Sequence, residues 1–172
     1  YEANFFFAST VARFRNDREK MVSLFRVAAR LRPDDYVSPM MVAGFLPKGD
    51  PERPDWAKLC VERAERAVRL NPEDAAPMHR AAFALAHLGE KDKAHAWLAR
   101  SLAIDPDEFI AQVNAAGIHA LFGEVEEALH YLGKAARKVP PNTIEMLRND
   151  ADFDAIRDDP RFSRILRPRE GA

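Results

Sequence analysis

The sequence is short of the features that mark several large classes of protein. Cysteine occurs once among 172 residues, as Cys60, so the chain cannot form an internal disulfide. No apolar run approaches the roughly 20 residues that a membrane-spanning helix needs. The 26 basic and 27 acidic residues are mixed along the chain, so no single-sign field gathers a phosphate backbone or an anionic lipid. We therefore expect a cytoplasmic protein without nucleic-acid or membrane partners.

Motifs for common catalytic chemistry are also missing. The seven glycines are dispersed, and "GKAA" at Gly133 lacks the upstream glycine and the hydroxyl of a phosphate-binding loop. The five histidines include no pair four residues apart with an intervening glutamate, the arrangement of zinc proteases. We expect no catalytic residue, no metal site and no cofactor in this chain.

One acidic stretch has the alternate spacing of a calcium loop, with Asp150, Asp152 and Asp154. Such a loop also needs glycine at its sixth position and a bidentate glutamate at its twelfth. Ala155 and Arg161 occupy those positions. Because a guanidinium would repel the cation, we interpret these aspartates as residues of turns and helix caps.

Proline recurs in this sequence at a fixed interval. Pro72, Pro106 and Pro140 are spaced by 34 residues each time, and Pro33 precedes Pro72 by 39. The five additional residues fall in "LPKGDPERPD", a cluster of proline, glycine and charge that is typical of a loop. A period of this size predicts a repeat architecture.

Small residues keep the phase of the repeat, and each period reads as helix, turn and helix. Three pairs separated by 34 residues are expected where the two helices approach closely: Ala82 and Ala116, Ala94 and Ala128, Ser101 and Ala135. Gly89 and Gly123 are expected to end the first helices in the left-handed conformation, as is Asn16 in the first period. Cys60 falls at one of the small positions, so we expect it in the core.

These residues resemble the tetratricopeptide repeat, a family of 34-residue helical hairpins. The resemblance implies an all-α, right-handed superhelical solenoid. About four hairpins span residues 1–142, approximately 2–35, 36–74, 75–108 and 109–142, and a helical cap follows over 143–172.

The last segment is expected to cover the open apolar face of the final hairpin, as solenoids require. "TIEML" favours a short helix, Phe153 and Ile156 are apolar among aspartates, and Asp159 followed by Pro160 is typical of a helix start. The segment "LRNDADFDAIRDDPRF" also resembles the C-terminal end of bacterial signalling proteins. Their N-terminal domain is often a class III adenylate or guanylate cyclase. That resemblance implies a regulatory region of such a protein, whose catalytic domain would lie upstream of Tyr1.

The resemblance also implies a concave groove lined by first-helix residues that binds a protein, a peptide or an upstream domain of the same polypeptide. The expected contacts are Phe6, Thr10, Arg13, Met40, Met41, His79, Arg80, Phe83, His87, Val113 and Asn114. Of the lysine, arginine and asparagine set with which some members clamp a terminal carboxylate, Arg80 and Asn114 alone are matched. An alternative is a homo-oligomerisation element of a transcriptional regulator or kinase, since Phe6 and Phe7 form an aromatic cluster that another chain could cover.

Overall fold

The computed structural model describes residues 1–12 and 17–167, and within them every regular element is helical. The first helix, α1, covers Glu2–Phe6 and continues as a π-helix over Phe7–Ala12. The other elements are α2 Arg18–Leu31, α3 Val37–Phe45, α4 Arg53–Leu70, α5 Ala75–His87, α6 Lys91–Ile104, α7 Phe109–Leu121, α8 Val125–Ala136, α9 Pro141–Arg148, a 3₁₀ helix Ala151–Ile156 and α10 Pro160–Ile165. None of the described helices is both long and apolar enough to cross a bilayer.

Glycine closes the first helix of two hairpins. Gly89 and Gly123 have φ of +77° and +72°, the left-handed region that glycine enters without a Cβ clash. In the first of these turns the amide of Glu90 donates to the carbonyl of Leu85 at 3.0 Å, which is the six-to-one bond of a Schellman motif. The prediction for these two glycines is confirmed, and that for Asn16 lies outside the described residues.

The acidic residues after the period prolines cap the next helix. The carboxylate of Asp35 accepts from the amide of Val37 at 2.8 Å, and that of Asp74 accepts from the amide of Ala76 at 2.9 Å. A carboxylate here satisfies amides that have no partner within the helix. The turn after each of these prolines therefore both stops one hairpin and starts the next.

The described residues form two compact units, one from Tyr1 to Ile104 and one from Asp105 onward. In unit 1 the successive helices α2 to α6 pack pairwise, with α5 against α3, α4 and α6. Small residues at the hairpin interfaces are completely buried, among them Ala82, Ala94 and Cys60. Burial raises the pKa of the Cys60 thiol to about 12, so this cysteine is an uncharged core residue.

In unit 2 the C-terminal segment covers the α7–α8 hairpin. Phe153, Ile156, Phe162 and Leu166 are at most 3% exposed and share one core with residues of α7 and α8. The carboxylate of Asp159 accepts from the amide of Arg161 at 2.8 Å and caps α10. The C-terminal segment thus packs on this hairpin, and its first helix begins at Pro141, two residues before the expected boundary.

Candidate functional site

The predicted groove residues of unit 1 differ widely in exposure. Phe6 is 63% exposed on α1, and Thr10 is exposed on the π-helix. Met41 is half-buried on α3. Arg13 lies outside the described residues.

Two predicted contact residues of unit 1 are buried instead. Met40 is 7% exposed and packs with Ala43, Ala57 and Cys60, and His79 is 0% exposed. His79 is buried because α5 packs against three other helices. These two side chains, which were expected to face a ligand, therefore lie in the interior of unit 1.

Arg80 lies next to His79 and is held by neutral groups. Its Nη1 donates to the carbonyl oxygen of Ala76 at 2.9 Å and to Nε2 of His79 at 3.0 Å. A guanidinium has no acceptor, so Nε2 of His79 must be unprotonated and accept. Burial, assisted by the charge of Arg80, lowers the pKa of His79 to about 3, which agrees with a neutral imidazole.

The positive charge of Arg80 meets no carboxylate among the residues that the structure describes. Its guanidinium carbon lies 6.0 Å from the centre of the Tyr36 ring, and its Nε is buried without a hydrogen-bond partner. Burial raises the pKa of Tyr36, so the phenol is neutral. Arg80 is therefore a half-buried cation in contact with an imidazole, a phenol ring and a backbone carbonyl.

One and two turns further along α5, Phe83 and His87 extend the same surface. Their rings meet edge to face with centroids 4.6 Å apart, and Nη2 of Arg53 donates to Nδ1 of His87 at 2.7 Å. Phe83 also lies against α3 at Gly44, where an added Cβ would be 3.7 Å from its ring. The half-buried residues Tyr36, Met41, Arg80, Phe83 and His87 constitute what we call the α3–α5 face.

In unit 2 the predicted contacts are Val113 and Asn114 on α7. Val113 is half-buried, and Asn114 is 6% exposed and has its own interactions within the protein. On the same helix Nε2 of Gln112 donates to the carbonyl of Pro106 at 2.9 Å, and Nδ1 of His119 lies 2.6 Å from Oε2 of Glu124. Oε1 of Gln112 is buried without a hydrogen-bond partner among the described residues, whereas its Nε2 and the Nδ1 of His119 are bonded within unit 2.

Sequence reasoning missed Arg63, whose guanidinium joins two hairpins. Its Nη1 donates to the carbonyls of Ala29, Arg32 and Asp35 at 3.0, 3.1 and 2.9 Å. These carbonyls lie at the end of α2 and in the turn that follows, where helical carbonyls have no partner within the helix and the dipole favours a cation. The signal was the position of Arg63 on α4 beside Cys60 and Ala64, two small residues that are completely buried.

Known proteins with tetratricopeptide repeats are similar to this chain in structure or in sequence. No protein-family model matches the chain. A thermophilic TPR protein of Thermus thermophilus is similar in structure, with a TM-score of 0.56, 22% identity, and 88% of this chain and 80% of that chain covered. The TPR protein YrrB, described as having an unusual peptide-binding site, has a TM-score of 0.43, 27% identity, and coverage of 77% and 66%.

Among curated proteins, the mouse interferon-induced protein with tetratricopeptide repeats 3 is 26% identical over 168 residues, which cover 89% of this chain. The chain spans 40% of the length of that relative. The likeness to the Thermus structure shows the fold, a set of tetratricopeptide-type helical hairpins. The all-α fold class that the resemblance implied is confirmed.

Proposed function

We propose that this chain is a non-enzymatic interaction module that binds an extended peptide of a partner protein on the α3–α5 face. The tetratricopeptide-type fold supports a protein-binding role, and the choice of surface follows from its chemistry. Apolar and aromatic side chains with a few polar donors are what a peptide site requires.

Arg80 is the observation that carries this choice. A half-buried guanidinium that forms no ion pair retains donors for a ligand, and the hydrogen bonds that Arg80 donates within the described residues go to neutral groups. Arg80 is fixed to the helix by its bond to Ala76, so little conformational entropy is lost on binding. Phe83, one turn away, offers the edge and face of an aromatic ring to an apolar side chain of the peptide.

The test begins with peptides selected against the purified chain from a displayed random library. The selected peptide is then titrated by calorimetry into the wild-type chain and into Arg80→Ala. We expect binding to weaken at least about tenfold in Arg80→Ala, the size of a lost hydrogen bond to a charged group.

The matched control is Arg100→Ala, since Arg100 is exposed on α6 and outside the α3–α5 face. It carries the same change of charge and should leave the affinity within about twofold. Equal affinities for wild type, Arg80→Ala and Arg100→Ala would place the peptide elsewhere and remove this proposal.

We further propose that the module belongs to a longer signalling polypeptide, with a nucleotide cyclase as the first candidate for its catalytic domain. The support is the resemblance of roughly residues 36–166, with the segment at 147–162, to the C-terminal part of such proteins. The purified chain, given ATP or GTP with Mg²⁺, is expected to form no cyclic nucleotide. Formation of cyclic nucleotide by these residues alone would contradict the assignment of catalysis to another domain.

A further inference from the structure

Three second helices of unit 1 end in an exposed aliphatic residue. Leu31, Leu70 and Ile104 are the last residues of α2, α4 and α6, and they are 56%, 88% and 39% exposed. Each stands two residues before a period proline, so the exposure recurs with the repeat. We call these three side chains, with the charged residues beside them, the helix-end ledge.

Hydrogen bonds between the hairpins place these helix ends side by side. Nη2 of Arg66, one turn before Leu70, donates to the carbonyl of Pro33 at 3.4 Å, just beyond Leu31. Oγ of Ser101, one turn before Ile104, donates at 3.0 Å to the carbonyl of Ala75, just beyond the turn that follows Leu70. The aliphatic residues therefore follow one edge of unit 1 and do not lie scattered over its surface.

Charges of both signs flank the first two leucines in the same order. Arg30 and Arg69 each precede a leucine, and Asp34 and Glu73 follow it in the turn. All four are exposed and form no ion pair within residues 1–12 and 17–167.

The neighbouring cations, by contrast, already have partners in the chain. Arg32 pairs with Glu2 at 2.9 Å, and Arg66 pairs with Glu62 at 2.6 Å. The unpaired charges of the ledge are therefore two cations on the helix side and two anions on the turn side of an aliphatic row.

From this arrangement we propose that the helix-end ledge is a two-fold interface between two copies of this chain. A two-fold axis between the turns brings Arg30 of one copy to Glu73 of the other and Arg69 to Asp34, with Leu31 and Leu70 between them. A two-fold interface must be complementary to itself, and a row of apolar residues with cations on one side and anions on the other meets that condition. A partner of single sign would repel half of the charged residues.

The dimer is weak, because three exposed aliphatic side chains are a small part of the roughly 800 Å² per partner that stable interfaces bury. Its stoichiometry is therefore measured by sedimentation velocity from about 1 µM to about 500 µM. We expect the wild-type chain to pass from monomer to dimer over this range.

The first variant is Leu70→Ser, which alters a side chain that is 88% exposed and so leaves the fold intact. We expect the dimer dissociation constant to rise at least tenfold. The matched control is Phe7→Ser, which removes an exposed aromatic residue of the π-helix that does not belong to the ledge. It should dimerise like the wild type. Loss of the dimer in Phe7→Ser with retention in Leu70→Ser would assign association to the aromatic cluster and overturn the proposal.

The second experiment exchanges the charges between two chains. One chain carries Arg30→Glu with Arg69→Glu, the other Asp34→Arg with Glu73→Arg, and circular dichroism verifies that each is folded. Each alone is expected to remain monomeric at the highest concentration. An equimolar mixture is expected to dimerise again, because the exchanged charges are then complementary.

The control for charge exchange is Lys58→Glu with Lys93→Glu, which changes the net charge equally at exposed positions far from the ledge. This chain should dimerise like the wild type. The proposal is overturned by a wild-type chain that stays monomeric, by a dimer that survives in Leu70→Ser, or by folded charge variants that fail to associate when mixed.

Discussion

Two arginines show how differently the two units join their helices. In unit 1, Arg63 on α4 donates to three backbone carbonyls at the end of α2, and no carboxylate shares its Nη1. In unit 2, Arg161 on α10 reaches Glu126 on α8 through two bonds of 2.8 Å and also binds Asp159. The contact of Arg63 is buried and its acceptors are uncharged carbonyls. The contacts of Arg161 are exposed ion pairs.

The difference follows from what each helix has to contact. A second helix inside an array lies beside the unpaired carbonyls of the preceding hairpin, and these attract a guanidinium. A capping helix has a free outer surface, where carboxylates remain hydrated at little cost. We therefore expect the polar contacts of unit 1 to resist salt and those of the cap to weaken with it.

The largest expected effect tests the apolar side of the cap. Phe153→Ala removes a ring that is 2% exposed, and we expect the free energy of unfolding to fall by about 3–5 kcal/mol. Urea unfolding followed by circular dichroism gives this value, and hydrogen exchange should show faster exchange from residue 105 onward. Phe6→Ala, at a ring that is 63% exposed, is the control and should change little. A similarly small change in Phe153→Ala would mean that the cap adds no core.

Arg63→Met separates the buried contact from the exposed one. The variant preserves the apolar length of the side chain but removes the Arg63 donor from three carbonyls, of which, within the described part of the chain, only that of Arg32 still accepts a backbone amide, from Asp35 at 3.2 Å. We expect a loss of about 2–3 kcal/mol that added salt does not alter. Arg66→Met, on the exposed side of the same helix, is expected to lose less than about 1 kcal/mol. Equal losses for the two variants would show that Arg63 is an ordinary surface cation.

His79 makes unit 1 sensitive to acid in a defined range. The folded-state pKa of about 3 lies below the unfolded value of 6.5, so protons bind the unfolded chain first and stability falls as the pH decreases from 6.5 towards 3. Between pH 6.5 and 5 the loss from this group is about 2 kcal/mol. His79→Gln preserves an acceptor for Arg80 and should remove this part of the slope in urea unfolding. Parallel slopes for the two proteins would contradict a buried neutral imidazole.

The smallest effect is expected for Arg161→Gln. Arg161 lowers the pKa values of Glu126 and Asp159, so its stabilisation is present above the ordinary carboxylate pKa and disappears as the pH falls through the lowered values. Thermal unfolding at low salt should show a slightly lower Tm for the variant at pH 7 and no difference near about pH 2. Arg164→Gln, an exposed neighbour on α10, is the control for loss of charge. A difference that persists at low pH would show that the network acts through packing.

Much of the fold could be predicted because its determinants are local. The interval between Pro72 and Pro106 gave the period, Gly89 gave the turn within a hairpin, and Asp159 gave the start of α10. Each of these residues determines the conformation of the backbone next to it, so their spacing in the sequence is enough to predict where helices begin and end.

The site was harder to predict because the burial of a side chain depends on which helices pack against it. Position in the repeat assigned Met40 and His79 to a ligand-facing surface, but the packing of α5 against three helices buries His79, and Met40 joins the core with Cys60. The role of Arg63 was not predicted because its acceptors lie 28 to 34 residues away in the sequence. The π-helix at Phe7 was also not anticipated.

The most direct test of the central claim is a chemical-shift map of the isotopically labelled chain with a selected peptide. If the peptide lies on the α3–α5 face, backbone amides of Val37–Phe45 and Ala75–His87 shift most, and the side-chain Nε–H of Arg80 moves with them. Shifts concentrated on Arg53–Leu70 and Lys91–Ile104, with α3 and α5 unchanged, would contradict the claim.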